Sequence, residues 1–346
     1  MFHASRRILL KRIALLATAT LAASARAADA GRDALLDLRV AIAGPHSLPF
    51  LPIELIPLLG QDRALGARLS IRYFPSGVRA LEDVAAGNAH FAGVGFTVVP
   101  AFAAAGKPVV ALAPLGGELP PFALLVRADL KNRIRKMADL RGHVIGISAG
   151  SPSSKTYLQV LAEMLLAGYG VKTDEVRWVA TAQNLDGQYG ALASRAVDAL
   201  FCEETFSSNL LRRGLAYRLV DFHDPAVRAR VPHERHLRWV LAAGRELPRQ
   251  DPRRAEIMVR LLQHALAWIR QSDPKTVAAR LGIENPDERR DIETTLTRHP
   301  DLYSADGRFS RGQIDETRAF MQAANLALPA GGLDDLIIDR WAGSKP

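Results

Sequence analysis

Beyond residue 30 the chain alternates short apolar runs with stretches of helical spacing. Asp37-Leu38-Arg39-Val40-Ala41-Ile42-Ala43 is a β-rich run that stops at Gly44-Pro45, which predicts a buried strand closed by a turn. An apolar helix is predicted over 52–59, and the alternating segment 69–74 predicts a second strand. Pro75-Ser76-Gly77 turns it into a helix over 78–86 that Gly87 caps. Strands over 90–95, 109–113 and 122–126 follow.

The pattern then restarts. A short helix over 137–140, a stop at Gly142 and a strand over 143–148 lead into a helix over 153–167, in which Tyr157, Val160, Leu161, Met164 and Leu165 keep the spacing of one buried face. A strand over 176–180, a helix over 185–194 and a strand over 196–202 complete the second round. Strand, helix, strand, helix, strand twice over predicts two α/β units with parallel sheets. From about Glu246 the chain turns helical: Ile257, Leu261, Leu262, Ala265 and Ile269 form one stripe, and shorter helices are predicted over 274–281, 288–297 and 314–324. The octapeptides starting at Ala85 and at Ala193 occupy the same place in each unit, where a helix hands over to a strand. Two similar lobes facing each other make a cleft at the carboxyl ends of their strands, where open α/β sheets bind ligands.

Composition changes this picture at one end only. The length of 346 residues, with 48% hydrophobic and 23% charged, fits about two soluble domains. The net charge is +9, but Arg6, Arg7, Lys11, Arg12 and Arg26 all precede the first acid, Asp29. Residues 1–27 read as an export signal: a basic start, an apolar run over 13–23, and Ala25-Arg26-Ala27, with cleavage after Ala27. Ser5-Arg6-Arg7-Ile8-Leu9-Leu10-Lys11 resembles the twin-arginine motif, although Sec export stays open. The other basic residues are dispersed, so no nucleic-acid partner is expected. The single Cys202 can form neither an internal disulfide nor a thiolate zinc site, and is read as a small buried hydrophobe.

Several motifs together resemble a known family: the substrate-binding proteins of ABC importers in the nitrate, taurine and sulfonate group, which includes binders of thiamine-pyrimidine precursors. The carriers are the leader, Pro75-Ser76-Gly77, Ala86-Gly87-Asn88-Ala89-His90-Phe91, the run from Ala138 to Ile147, the serine-rich turn after it, and Val197-Asp198-Ala199-Leu200. Against the family pattern, His90 stands where Asp is usual and Arg195 where a helix-ending Gly is usual. The resemblance implies a two-lobed periplasmic binding protein of type II, an α/β fold with a helix-flanked sheet in each lobe. It implies C-terminal helices on the first lobe, a membrane ABC permease as partner, and no cofactor.

Candidate chemistry lies at the strand ends. Ser148-Ala149-Gly150-Ser151-Pro152-Ser153-Ser154-Lys155-Thr156 joins a strand to a helix, so hydroxyls, backbone N–H groups and the helix dipole would converge on an anion there. A plain N-cap at Ser153 or Ser154 would use the same residues. Gly146-Ile147-Ser148-Ala149-Gly150 also matches the G-x-S-x-G elbow of α/β-hydrolases, with Asp221, Asp224, His233 and His236 downstream. An elbow needs its helix to start at the serine, whereas Pro152 and the serines after it place the start later. A secreted serine hydrolase using Ser148 is therefore the alternative. Glu203 and Glu204 end a strand, so one carboxylate should face the cleft, where it would suit an aminated or zwitterionic ligand opposite the serine turn. Gln183 and Asn184 follow another strand and read either as polar ligand contacts or as a helix start. In the first lobe His46 and Ser47 follow the first strand, and Phe96 and Thr97 the third. His233 and His236 lack a third ligand nearby, so no metal is expected.

The expectation is thus a monomeric, non-enzymatic receptor in the periplasm that closes around a small polar or anionic molecule of the sulfonate, taurine, nitrate or pyrimidine class. Lobe one is placed at 31–118 plus 222–346 and lobe two at 119–221. A DNA-regulator effector domain shares the fold, but would carry a DNA-binding head where this chain has an export signal.

Overall fold

The computed structural model describes residues 35–117, 121–151, 154–328 and 331–345. The leader, and with it the export reading, lies outside the described residues, as does Ser153. The chain from Asp37 to Pro346 forms one compact unit, and the first strand begins one residue before it.

The chain first lays down strand β1 (Leu36–Ala43), helix α1 (Leu51–Leu58), β2 (Ala67–Phe74), α2 (Gly77–Ala85), β3 (Phe91–Gly95), α3 (Val98–Ala104) and β4 (Val109–Pro114). It then crosses to β5 (Phe122–Arg127), β6 (Val144–Ser148), α4 (Tyr157–Gly168), β7 (Arg177–Thr181), α5 (Leu185–Ala193), β8 (Ala199–Glu203), α6 (Glu204–Arg212) and β9 (Ala216–Asp221). It returns through β10 (Trp239–Gly244) and ends in α7 (Pro252–Gln271), α8 (Pro274–Arg280), α9 (Pro286–Arg298) and α10 (Arg311–Ala323).

Two five-stranded sheets result, in the orders β2-β1-β3-β10-β4 and β7-β6-β8-β5-β9. The two orders match strand for strand. The expectation of purely parallel sheets fails at one strand in each. β1 runs parallel to β3, and β6 to β7 and β8, but β10 is antiparallel to β3 and β4, and β5 to β8 and β9. Both reversed strands adjoin a crossing, and each enters the fourth position of its sheet from the other sheet instead of from a helix of its own. The alternation of strand and helix carries no trace of that reversal.

The internal echo has a structural meaning. The His90 N–H bonds to the Arg39 carbonyl, and the Arg39 N–H donates back to His90 Nδ1 at 3.0 Å. In the second sheet the Asp198 N–H bonds to the Val144 carbonyl, and the Val144 N–H donates to Asp198 Oδ2 at 3.0 Å. The side chain of the residue immediately before β3 or β8 therefore closes the same ring on β1 or β6. His90 replaces a carboxylate there only as a neutral acceptor, and burial, with Arg254 and Arg39 nearby, holds its pKa down to about 4. Gly87 and Arg195 likewise both take left-handed backbone after a helix, at φ 79° and 60°. A side chain in that region costs about 1 kcal/mol or more relative to glycine. The exposed Arg195–Asp129 pair, at 3.8 Å, offsets little of it. Arg195→Gly is expected to stabilise the protein by about 1 kcal/mol in urea unfolding.

In the second lobe Ala123, Leu125, Leu192, Val197, Leu200, Cys202, Leu210 and Ala216 form one buried cluster, and burial pushes the Cys202 thiol up. α4 begins at Tyr157, not at 153, because Thr156 is its N-cap and accepts the Gln159 N–H. Its buried face includes Ala162, while Met164 is half-buried. α7 buries Ala255, Met258, Val259, Leu261, Leu262, Ala265 and Leu266, so Ile257 and Ile269 sit at the edge of its stripe.

Candidate functional site

The residues after β1, β2 and β3 meet those after β6, β7 and β8. Glu203, the last residue of β8, precedes α6 without capping it, and its side chain reaches the first lobe instead. One carboxylate oxygen accepts from Ser47 Oγ at 2.8 Å and Gln183 Nε2 at 2.6 Å, and the other from the Leu48 N–H at 2.7 Å. Gln183 Nε2 also lies 3.0 Å from Ser47 Oγ, and the Gln183 N–H bonds to the Pro75 carbonyl. Ser47 and Glu203 are fully buried and Gln183 nearly so. Burial raises the Glu203 pKa to about 7, while its three donors pull it down.

A second carboxylate steadies the same loop. Glu54, the lone acid of the apolar helix α1, accepts the N–H of His46 at 3.0 Å, and burial raises its pKa to about 7. His46 has left-handed backbone, and its Nδ1 lies 2.8 Å from Glu288 of α9. Tyr303 Oη donates to the Leu48 carbonyl at 2.7 Å. Sequence reading missed Glu54, Tyr303 and Glu288; only Glu54 gave a signal, as the one charge in an otherwise apolar helix.

Glu204 points elsewhere. It pairs with Arg298 and, at 2.5 Å, with His299 Nε2. Burial works to raise its pKa, but those partners hold it below the usual carboxylate range. Asn184 is the N-cap of α5, accepting the Gly187 N–H at 2.8 Å, so the ordinary helix-start reading accounts for it. Phe96 is fully buried, and it is not among the residues lining the cavity beside the serine turn.

The serine turn differs from the expected anion nest. Ser151 and Ser154 bond to each other through both backbone N–H groups, Ser154 Oγ donates to the Lys155 carbonyl, and the helix start belongs to Thr156. What the turn does form is part of the lining of a cavity of about 760 Å³, to which Gly150, Ser151, Ser154 and Lys155 contribute with Thr97 and Ala101, with Gln159, Glu163 and Met164 of α4, and with Ala323 to Leu326 at the end of α10. Thr97 is 4% exposed, and among the described residues its Oγ1 has no hydrogen-bond partner. Lys155 pairs with Glu163 at 2.7 Å. Glu203 does not line this cavity, so the expected arrangement of the serine turn facing Glu203 across one ligand is not what the structure brings together.

Between the two groups the lobes touch. Phe122 lies 6.2 Å from Tyr157 and 6.1 Å, edge on, from Trp239, and a void of only about 20 Å³ is left beside Phe50, Gly95 and Gln183. Tyr157 Oη lies 3.1 Å from His236 Nε2, and His236 Nδ1 is 2.7 Å from the His233 carbonyl. The carbonyl can only accept, so Nδ1 carries the proton and Nε2 accepts from tyrosine.

The elbow geometry is absent from the described residues. Ser148 Oγ donates to Thr156 Oγ1 at 3.1 Å, not to a histidine, and α4 starts only at Tyr157. Asp224 caps a turn of helix and Asp221 accepts the His223 N–H. Fluorophosphonate is expected to leave Ser148 unlabelled, checked by intact-mass spectrometry.

The family described as NMT1/THI5 like matches residues 67–275. The chain belongs to that family. Solved structures place this NMT1/THI5-like chain in the fold of periplasmic substrate-binding proteins. A protein from Bordetella bronchiseptica RB50 superposes with a TM-score of 0.74 at 19% identity, covering 88% of this chain and 95% of the other. The alkanesulfonate-binding protein SsuA from Xanthomonas axonopodis pv. citri, bound to MOPS, gives 0.66 at 20% identity over 88% and 98%. The desulfurization enzyme DSZB shares the fold at a TM-score of 0.55 and 17% identity, over 88% and 97%. No curated protein matches the sequence. The hydrolase alternative gains nothing from the family or from Ser148.

Proposed function

We propose that this chain is an extracytoplasmic solute-binding protein of an ABC importer, which holds a small polar or anionic organic molecule between its lobes and presents it to a membrane permease. The lobes are residues 31–118 with 222–346, and 119–221, joined by the crossings before β5 and after β9. The observation that carries this reading is the cavity between Thr97 and the serine turn. Its volume lies in the range of small-molecule sites, and Thr97 in its lining carries a buried hydroxyl with no hydrogen-bond partner among the described residues. Serine and threonine hydroxyls at its wall, beside Lys155 paired with Glu163, favour a strongly polar group, consistent with sulfonate, taurine or nitrate, and the family leaves pyrimidines in the same set. The leader supports periplasmic localisation through twin-arginine or Sec export, and among the described residues no helix is long and apolar enough to cross a membrane.

Native mass spectrometry of the protein purified without denaturation tests the reading. A small acidic or zwitterionic molecule in one-to-one stoichiometry is the expected result. Absence of any such mass, together with no thermal shift from taurine, alkanesulfonates, nitrate or aminopyrimidines, would contradict it.

A further inference from the structure

The contact between Glu203 and the β1 loop is an anion site whose anion belongs to the protein. Its donors come from both lobes: Ser47 Oγ and the Leu48 N–H from the first, Gln183 Nε2 from the second. All lie within 2.8 Å of a carboxylate oxygen. A buried carboxyl is costly to leave without its donors, and here the three contacts are wholly shielded from water. The Arg212–Asp291 and Arg298–Glu204 pairs between α6 and α9 are screened, because their arginine side chains are 37% and 46% exposed, whereas the Glu204–His299 pair is shielded like the Glu203 contact. The loop that supplies Ser47 and Leu48 is itself fixed by Glu54 at His46 and by Tyr303 at the Leu48 carbonyl, so it presents its donors already oriented.

We infer that Glu203 is a built-in latch: a tethered carboxylate that fills a cross-lobe carboxylate site and draws the lobes together without a solute. The consequence for the solute-binding reading, on which only its purpose rests, is that free anions are kept out of this position and closure at the cleft centre does not depend on the cargo. Specificity then has to come from the Thr97 cavity.

The test needs no cargo. Cys202 is buried, so cysteines introduced at the exposed Ala86 and Ala193, one at each helix-to-strand handover, can be spin-labelled selectively. Double electron–electron resonance then reads the distribution between open and closed lobes. Glu203→Ala is expected to lower the closed-to-open ratio by at least roughly tenfold, and added formate, which fits the vacated donors, to restore it saturably. Formate should leave the parent protein unchanged. Ser47→Ala, which keeps the carboxylate and loses one donor, is expected to shift the ratio the same way by less. A Glu203→Ala variant as closed as the parent, or one that opens and is not reclosed by formate, would overturn the latch. If that variant does not fold, Ser47→Ala decides: an unchanged distribution overturns the proposal and a shift supports it. A chain that opens and recloses in this way yet binds no member of the solute panel would refute the proposed function and leave the latch standing.

Discussion

Replacing Gly95 by alanine is expected to keep the lobes from seating while leaving each sheet intact. Gly95 ends β3, pairs with Trp239 of β10, and has ordinary backbone, so alanine is tolerated by the strand itself. A Cβ added there would stand 2.3 Å from Cβ of Tyr157, the first residue of α4 in the other lobe. Both atoms are tied directly to backbone, so the clash cannot be relieved by a rotamer. Overpacking of this kind costs about 1–3 kcal/mol. Because the contact exists only when the lobes meet, the cost falls on closure, lowering it by roughly five- to 150-fold. Small-angle scattering should show an expanded particle, and urea unfolding an almost unchanged midpoint for the second lobe. A variant as compact as the parent would mean that β3 and α4 can slide past each other.

Acid is expected to destabilise the protein through His236. Its ring is buried, stacked on Phe320 at 3.7 Å, and holds its proton on Nδ1. Burial, then the charge of Arg238, depresses its pKa to about 3. A group whose folded pKa is depressed contributes stability that is fully present above the unfolded value near 6.5 and is lost as pH falls toward the folded one. At pH 5 that loss is about 2 kcal/mol. Glu54 and Glu203 act with the opposite sign: their folded values are raised, so their contribution is present below the ordinary carboxylate range and declines as pH rises through about 7. The histidine effect is therefore isolated as the difference between the parent and His236→Gln in urea unfolding at pH 7.5 and pH 5. That difference should shrink by about 2 kcal/mol on acidification, and a constant difference would contradict the assignment.

Much of this fold was legible because each lobe repeats one local pattern. The runs at 37–43, 69–74 and 109–113 became strands within two or three residues, since apolar periodicity and Gly or Pro stops act locally. β10 escaped although Trp239-Val240-Leu241-Ala242-Ala243 is a continuous apolar run, because it follows a loop instead of a helix and its place between β3 and β4 is a long-range fact. β9 escaped because only Ala216 and Val220 of its six residues are buried.

The site was readable as a set of strand ends but not as a set of contacts. Ser47, Gln183 and Glu203 were all candidates, yet nothing in their spacing reveals that they bond to one another and not to a solute. The serine turn was credited with a helix N-terminus that Thr156 holds, because three hydroxyl residues within four positions are equivalent to a capping rule and only the backbone chooses among them. His90 and Arg195 looked like departures from a family pattern. In the structure each performs the local task of the usual residue, one by accepting an N–H as a neutral ring and the other by bearing left-handed strain.

Isothermal titration of the parent and of Thr97→Val with a panel of taurine, an alkanesulfonate, nitrate and an aminopyrimidine tests the central claim most directly. One member is expected to bind one-to-one. Valine keeps the shape of the wall and removes its unpartnered hydroxyl, so the affinity for that member should fall by roughly two- to tenfold. Equal affinity in both proteins, or no binding by any member, would contradict a solute site between Thr97 and the serine turn.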